Sequence, residues 1–175
     1  MKRRQIGAPP PRSLIAALGL ATVVATTTGC GDSDCAVTMT VSDSVNEAVD
    51  YDSTGENLCS KSELSGLVIL ESYRDLGTGA TTGTITGLQV NVQNPTLDNG
   101  TFPATVVVNS LSHPTGFQSD ACTITVSNVE VEDWTVTDYV NYDATVVCSE
   151  ALGSPGSSAS IDLGPTTFRG HVLDE

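Results

Sequence analysis

"CAVTMTV", Cys35–Val41, alternates without a break: Cys35, Val37, Met39 and Val41 fall on one side, Thr38 and Thr40 on the other. A period of two is that of a β-strand with one buried face and one wet face. The same pattern recurs in "ACTITVS" (Ala121–Ser127), in "ATVVC" (Ala144–Cys148) and in "GLQVNVQ" (Gly87–Gln93). Further strand candidates are "GLVILESY" (Gly66–Tyr73), "ATVVVNSL" (Ala104–Leu111), "SNVEVEDWTVTDY" (Ser127–Tyr139), "ASIDL" (Ala159–Leu163) and "TFRGHVL" (Thr167–Leu173). Asp98-Asn99-Gly100 reads as a hairpin, since Asn-Gly tolerates the positive φ angles of a type I′ turn. Gly164-Pro165 marks another turn, and "GSPGSSAS" (Gly153–Ser160) a loop. Helical periodicity is almost absent; the one candidate is a short helix over Ser42–Val49 with Ser42 as its cap. About eight or nine short strands at this spacing predict an all-β domain, residues 35–175, built as a two-layer antiparallel sandwich, with a barrel as the second choice. Neither an internal repeat nor a second domain is visible.

The chain opens "MKRRQIGAPPPR", with Lys2, Arg3, Arg4 and Arg12, and continues "SLIAALGLATVVA". A bilayer-spanning helix needs about 20 apolar residues, so this shorter run reads as the apolar centre of a secretory signal. Thr26, Thr27, Thr28 and Gly29 supply the small residues of a cleavage site. "TTGC" (Thr27–Cys30) resembles the lipobox of bacterial lipoproteins, with Thr27 where that family usually carries Leu. The resemblance covers the first thirty residues only. It implies a signal peptide over residues 1–29, a diacylglyceryl group on the Cys30 thiol, and Cys30 as the new N-terminus. Residues 30–34 then form the lipidated cysteine and a short tether, which at four residues spans at most about 14 Å.

Five cysteines are an awkward number for an exported chain. Assigning Cys30 to lipid leaves Cys35, Cys59, Cys122 and Cys148, and export to an oxidising compartment makes two disulfides of them. Of three pairings, Cys35–Cys59 and Cys122–Cys148 are favoured, because each closes a local loop of similar size within one half of the chain. Each such loop is worth about 3 kcal/mol. No C-x-x-C spacing favours zinc or redox chemistry.

All 21 acids lie beyond the signal, where the only basic residues are Lys61, Arg74 and Arg169. Such a surface repels nucleic acid and anionic headgroups. A calcium-dependent adhesion or recognition domain is the first alternative function, with "DYDSTGEN" (Asp50–Asn57) as the place to look. Asp50, Asp52 and Gly55 fit the first half of an EF-hand spacing, but Thr54 and Lys61 stand where an oxygen ligand and the bidentate Glu belong, leaving only a looser cage. Glu130 and Glu132 alternate with Val129 and Val131 as the wet face of a strand. An envelope hydrolase is the second alternative. It would need His113 or His171 beside a serine and a carboxylate, but no G-x-S-x-G elbow presents a nucleophile. Trp134, Tyr139 and Tyr142 lie close in sequence, and a lone Trp at this spacing reads as core.

These readings converge on a membrane-anchored bacterial envelope lipoprotein with a non-catalytic binding or structural domain. No catalytic, cofactor or metal residue is assigned, and the membrane is the one partner the sequence names. A protein or glycan partner, and the choice between periplasmic and cell-surface exposure, stay open.

Overall fold

A computed structural model of the chain describes residues 35–51, 57–64, 66–74, 83–133 and 138–173. Eleven strands run in chain order: β1 (Ala36–Asp43), β2 (Glu47–Tyr51), β3 (Asn57–Leu64), β4 (Leu67–Arg74), β5 (Ile85–Val92), β6 (Gly100–Ser110), β7 (Phe117–Asp133), β8 (Asp138–Cys148), β9 (Leu152–Gly153), β10 (Ser160–Leu163) and β11 (Thr166–Leu173). Every pairing is antiparallel, and one continuous hydrogen-bonded path runs β3-β4-β5-β6-β7-β8-β11-β1-β10-β9, with β2 added to β1. Among the described residues there is no helix.

The strip folds over on itself, so that its two halves face each other across one core. The long strand β7 is the corner. Its pairing with β6 slips between Ala104 and Val106, and its pairing with β8 slips between Ser127 and Glu130. Such bulges bend a strand and strengthen its twist, which lets β7 serve both halves. The strand β9 also touches β7, through Gln118 and Gly153, joining the far end of the second half to the strand that begins it.

Inward positions keep the alternation. Val140, Tyr142, Ala144 and Val146 of β8 meet Val37, Met39 and Val41 of β1, Leu88, Val90 and Val92 of β5, and Val106 and Val108 of β6 in one cluster. Each fully buried Val, Leu or Ile contributes about 1.5–3 kcal/mol. Polar contacts also cross from one half to the other. The Tyr51 hydroxyl donates to the Ile85 carbonyl at 2.6 Å, and one Glu47 carboxylate oxygen accepts from the Thr84 and Ile85 amides at 2.7 and 3.2 Å.

The disulfides Cys35–Cys59 and Cys122–Cys148 are both present. They brace different things. Cys122 and Cys148 are direct partners on neighbouring strands β7 and β8, with Cα atoms 4.0 Å apart. Cys35 and Cys59 instead join the start of β1 to β3, at the opposite end of the strand path. The Cys59 sulfur lies 3.8 Å from the Arg169 carbonyl oxygen, so β3 sits against β11 there.

Four details differ from the sequence expectations. Ser42–Val49 is not a helix but the β1–β2 connection and most of β2. Asp43 takes a positive φ of 87° and its carbonyl accepts from the Asn46 side chain at 3.0 Å. A helix of about two turns is too short to be stable alone, whereas the hairpin satisfies the backbone and buries Val45, Val49 and Tyr51. Asp98-Asn99-Gly100 is not a two-residue turn: β5 ends at Val92, and the longer loop lets Leu97 cover the core edge. Asn99 uses its side chain elsewhere, accepting from the Val129 amide at 3.0 Å. "ACTITVS" and the start of "SNVEVEDWTVTDY" are one strand, β7, of 17 residues. Finally β2, β3 and β9 bring the strand number above eight or nine.

Gly170 is buried opposite Tyr142, whose ring occupies the space a side chain would take. The Tyr142 hydroxyl is buried without a hydrogen-bond partner, and burial pushes its ionisation well above the usual phenol range. An unsatisfied buried hydroxyl costs about 1–3 kcal/mol. Tyr142→Phe is therefore expected to raise unfolding stability by about 1 kcal/mol, and Gly170→Ala to lower it by about 1–3 kcal/mol through overpacking; urea titration of both variants checks this pair. Replacing Cys35 and Cys59 by Ala is expected to lower the urea midpoint by the equivalent of about 3 kcal/mol, read on the same titration.

Candidate functional site

The outward positions of six neighbouring strands fall into register. Thr101 of β6 faces Thr125 of β7, Thr125 faces Thr145 of β8, Thr145 faces Thr167 of β11, Thr167 faces Thr38 of β1, and Thr38 faces Asp50 of β2. All five threonines point away from the core, because each is flanked in sequence by inward residues. At about 4.8 Å between strands, the row crosses about 24 Å of sheet and turns with it at β7. Its ends are tied: Thr101 and Thr125 share a hydroxyl–hydroxyl bond of 3.0 Å, and Thr38 donates to Asp50 at 3.3 Å.

A second row lies beside it, Ala36–Arg169–Asp143–Ser127. The Arg169 Nε donates to Asp143 Oδ1 at 3.0 Å, and the Asn128 amide donates to Asp143 Oδ2 at 2.7 Å. Asn128 reaches the carboxylate because the β7 bulge holds it in the left-handed region, at a φ of 56°. These two bonds, the Asn128 one foremost, hold the Asp143 carboxyl below the usual carboxylate range.

Because alanine, serine and threonine are short, this surface is hollow on both sides of the ion pair. One depression of about 320 Å³ is lined by Asn128, Glu130, Asn141 and Arg169 among others. The other, about 390 Å³, is lined by Ala36, Thr38, Thr145, Thr167 and Arg169 among others. Asp143 and Arg169 belong to both, so the two form one trough. At its end the His171 ring stacks on Tyr139, 4.7 Å between centroids, and His171 Nδ1 lies 2.6 Å from Asn141 Oδ1. The Asn141 amide in turn donates to Glu132 at 2.6 Å.

The residues singled out in the sequence fall as follows. Cys30, Asp52, Thr54, Gly55, Glu56 and Trp134 lie outside the described residues. Asp50 is in β2 and accepts from Thr38. Lys61 points inward from β3, with its ammonium 3.1 Å from Glu63. Among the described residues no three His, Cys, Asp or Glu side chains converge on one point. His113 sits in the loop after β6, with Nδ1 3.1 Å from the neighbouring Ser112 hydroxyl and its ring on Phe117. His171 is on β11, beside the amide of Asn141. Glu130 and Glu132 are exposed, but so is Val131, at 56 %. Tyr142 is core, and Tyr139 half-buried.

A scan against protein-family models found no match, and searches of the curated proteins and of the solved structures found none either. The two disulfides point to an oxidising, exported environment. Among the described residues no helix is long and apolar enough to cross a membrane.

Since the Asp143 carboxyl is held low when folded, its contribution to stability is present above the ordinary carboxylate range and is lost as pH falls through its folded pKa. Carbon-detected NMR titration is expected to place its midpoint below that of ordinary aspartates. Asn128→Gly keeps the left-handed backbone, removes the amide, and should move the midpoint up; an unmoved midpoint would contradict this account.

Proposed function

We propose that the chain is a bacterial lipoprotein, anchored through Cys30 to a cell-envelope membrane, whose β-sandwich is a non-catalytic binding or structural module. The observation that carries the reading is the sulfur pairing. With Cys35 joined to Cys59 and Cys122 to Cys148, Cys30 is the one thiol of five left over. It follows a basic and then apolar leader and stands directly after Thr-Thr-Gly, where the lipoprotein signal ends. Several acyl chains, at about 0.8 kcal/mol per buried CH₂, hold such a protein stably on a membrane.

The binding role is supported by the outer face. Its two depressions set hydroxyls, amides, Glu130 and the Asp143–Arg169 pair on rigid strands, groups that hydrogen-bond to a partner. Anchoring sets how the domain stands. Cys35 is buried and cross-linked, so the tether is no longer than Gly31–Asp34, about 14 Å at full stretch. From the Arg169–Ala36 pair, β11 continues to Leu173, a further run of about 13 Å. With the strands upright on such an anchor, the end carrying Tyr139 and His171 is the one turned toward the membrane.

Intact-mass measurement of protein extracted from membranes is expected to show a chain beginning at Cys30 and carrying acyl groups, and Cys30→Ser should move the protein to the soluble fraction. An unacylated mature mass would contradict the anchor.

A further inference from the structure

We infer that the end of the sandwich carrying Leu64, Leu67, Val131 and Leu173 rests in the surface of a zwitterionic lipid bilayer, so that the domain holds the membrane by a protein face as well as by its lipid. The inference rests on the anchoring proposed above and adds a second contact to it.

Strand register gathers these residues. Leu64 and Leu67 are partners at the β3–β4 hairpin. Val131 pairs with Val140, and Tyr139 beside it pairs with Leu173. The two groups meet across the mouth of the core, where Glu63, Leu97, Val129, Val131 and Val140 line one depression. All four apolar side chains are exposed, from 36 % at Leu67 to 62 % at Leu64. Among the described residues three other large apolar side chains are exposed, Tyr73, Leu111 and Val147, and all three lie toward the other end of the sandwich. Apolar residues scattered singly need no explanation, whereas a group of them at one place marks a contact surface.

The tether decides what meets that end. Gly31–Asp34 spans at most about 14 Å and leads into Cys35, which the disulfide fixes to Cys59. From Cys35 along β1 to Asp43 the domain extends about 27 Å, so the opposite end stands beyond the reach of the anchor. In the other direction β11 runs on for about 13 Å past the Ala36–Arg169 pair to Leu173, and β3 for about 17 Å past Cys59 to Leu64. Overhang and tether are of similar length. With the strands upright, the acylated Cys30 and the apolar end therefore come to one level, the boundary between headgroups and acyl chains.

Charge selects the headgroup. Glu63, Asp133 and Asp138 are exposed at the same end. A choline or ethanolamine headgroup turns its ammonium outward, toward these carboxylates, while the leucines and valines reach past it. An anionic headgroup meets them with like charge. Tyr139, half-buried beside Leu173, carries the amphipathic ring that is favoured at that depth.

The test uses acylated protein extracted from membranes and reconstituted into phosphatidylcholine vesicles with brominated acyl chains, which quench tryptophan on contact. Trp134, the chain's only tryptophan, is replaced by Phe, and reporters are placed by Leu64→Trp at the apolar end and by Leu111→Trp at the other. Leu64→Trp emission is expected to shift to the blue and to fall by more than half, and Leu111→Trp emission to stay unchanged. Adding Val131→Asp and Leu173→Asp should restore the Leu64→Trp emission with acylation intact. Replacing part of the lipid by phosphatidylglycerol should weaken the quenching at low salt. Leu67→Trp, on the same hairpin, serves as the reporter if Leu64→Trp lowers the melting temperature. Unquenched emission from both hairpin reporters, equal quenching of Leu111→Trp, or quenching that survives the two aspartates would each overturn the inference. So would a blue shift without quenching together with a doubled mass on cross-linking, since a second copy would then cover the end. The outcome is separable from that of anchoring: an acylated protein with unquenched reporters loses only this contact, and an unacylated mature chain loses the anchor and the contact with it.

Discussion

The Cys35–Cys59 bond is the constraint on which the rest depends. It closes the start of β1 onto β3, which lie at remote positions in the strand path. Elsewhere the halves are held together by apolar burial, but β3 has little of it. Its inward positions carry Cys59, then Lys61, 8 % exposed, then Glu63. A strand that faces the core with a lysine, beside a Glu63 whose side chain stays 42 % exposed, does not dock by the hydrophobic effect alone. The covalent bond supplies what burial does not, and the Lys61–Glu63 ion pair lets the charged stem lie against Leu97, Val129 and Val140. Inward charges on a terminal strand also discourage pairing with another chain's edge.

Charge is partitioned over the molecule in a way the net value conceals. One outer face carries the threonine row and the neutralised Asp143–Arg169 pair. The other carries rows such as Ser60–Glu71–Gln89–Val107–Gln118, with Glu71 bonded to Ser60 at 3.2 Å. Several of the acids sit instead at strand ends and connections: Asp43, Glu47, Asp98, Asp133, Asp138 and Glu150. Mutual repulsion is reduced where charges are spread around the perimeter, although Asp50, Glu71, Glu130, Glu132 and Asp162 remain on the strands themselves.

Much of this fold was legible in the sequence, because alternation is a direct record of a half-buried strand. Cys35–Val41, Gly87–Gln93 and Ala144–Cys148 kept both their strands and their inward faces, and Thr167–Leu173 kept its strand. The pattern failed where a strand's inward face is polar, as in β3, or where the strand is too short to alternate, as in β9. It also failed at Ser42–Val49, where a tight connection through Asp43 outweighed a plausible cap. The site was not legible at all. Each threonine was visible as an outward residue, but their alignment depends on strand order and register, which link positions as distant as Thr38 and Thr167. The Asp143–Arg169 contact depends on the same register, and Asn128 joins it only because of a bulge.

Proteolytic mapping of the protein without reduction tests the central claim most directly, that four sulfurs brace the fold and one is left for lipid. Peptides linking Cys35 to Cys59 and Cys122 to Cys148, with an acylated Cys30 as the first residue, are the predicted result. A peptide joining Cys30 to any other cysteine, or a crossed pairing such as Cys35 with Cys122, would contradict it.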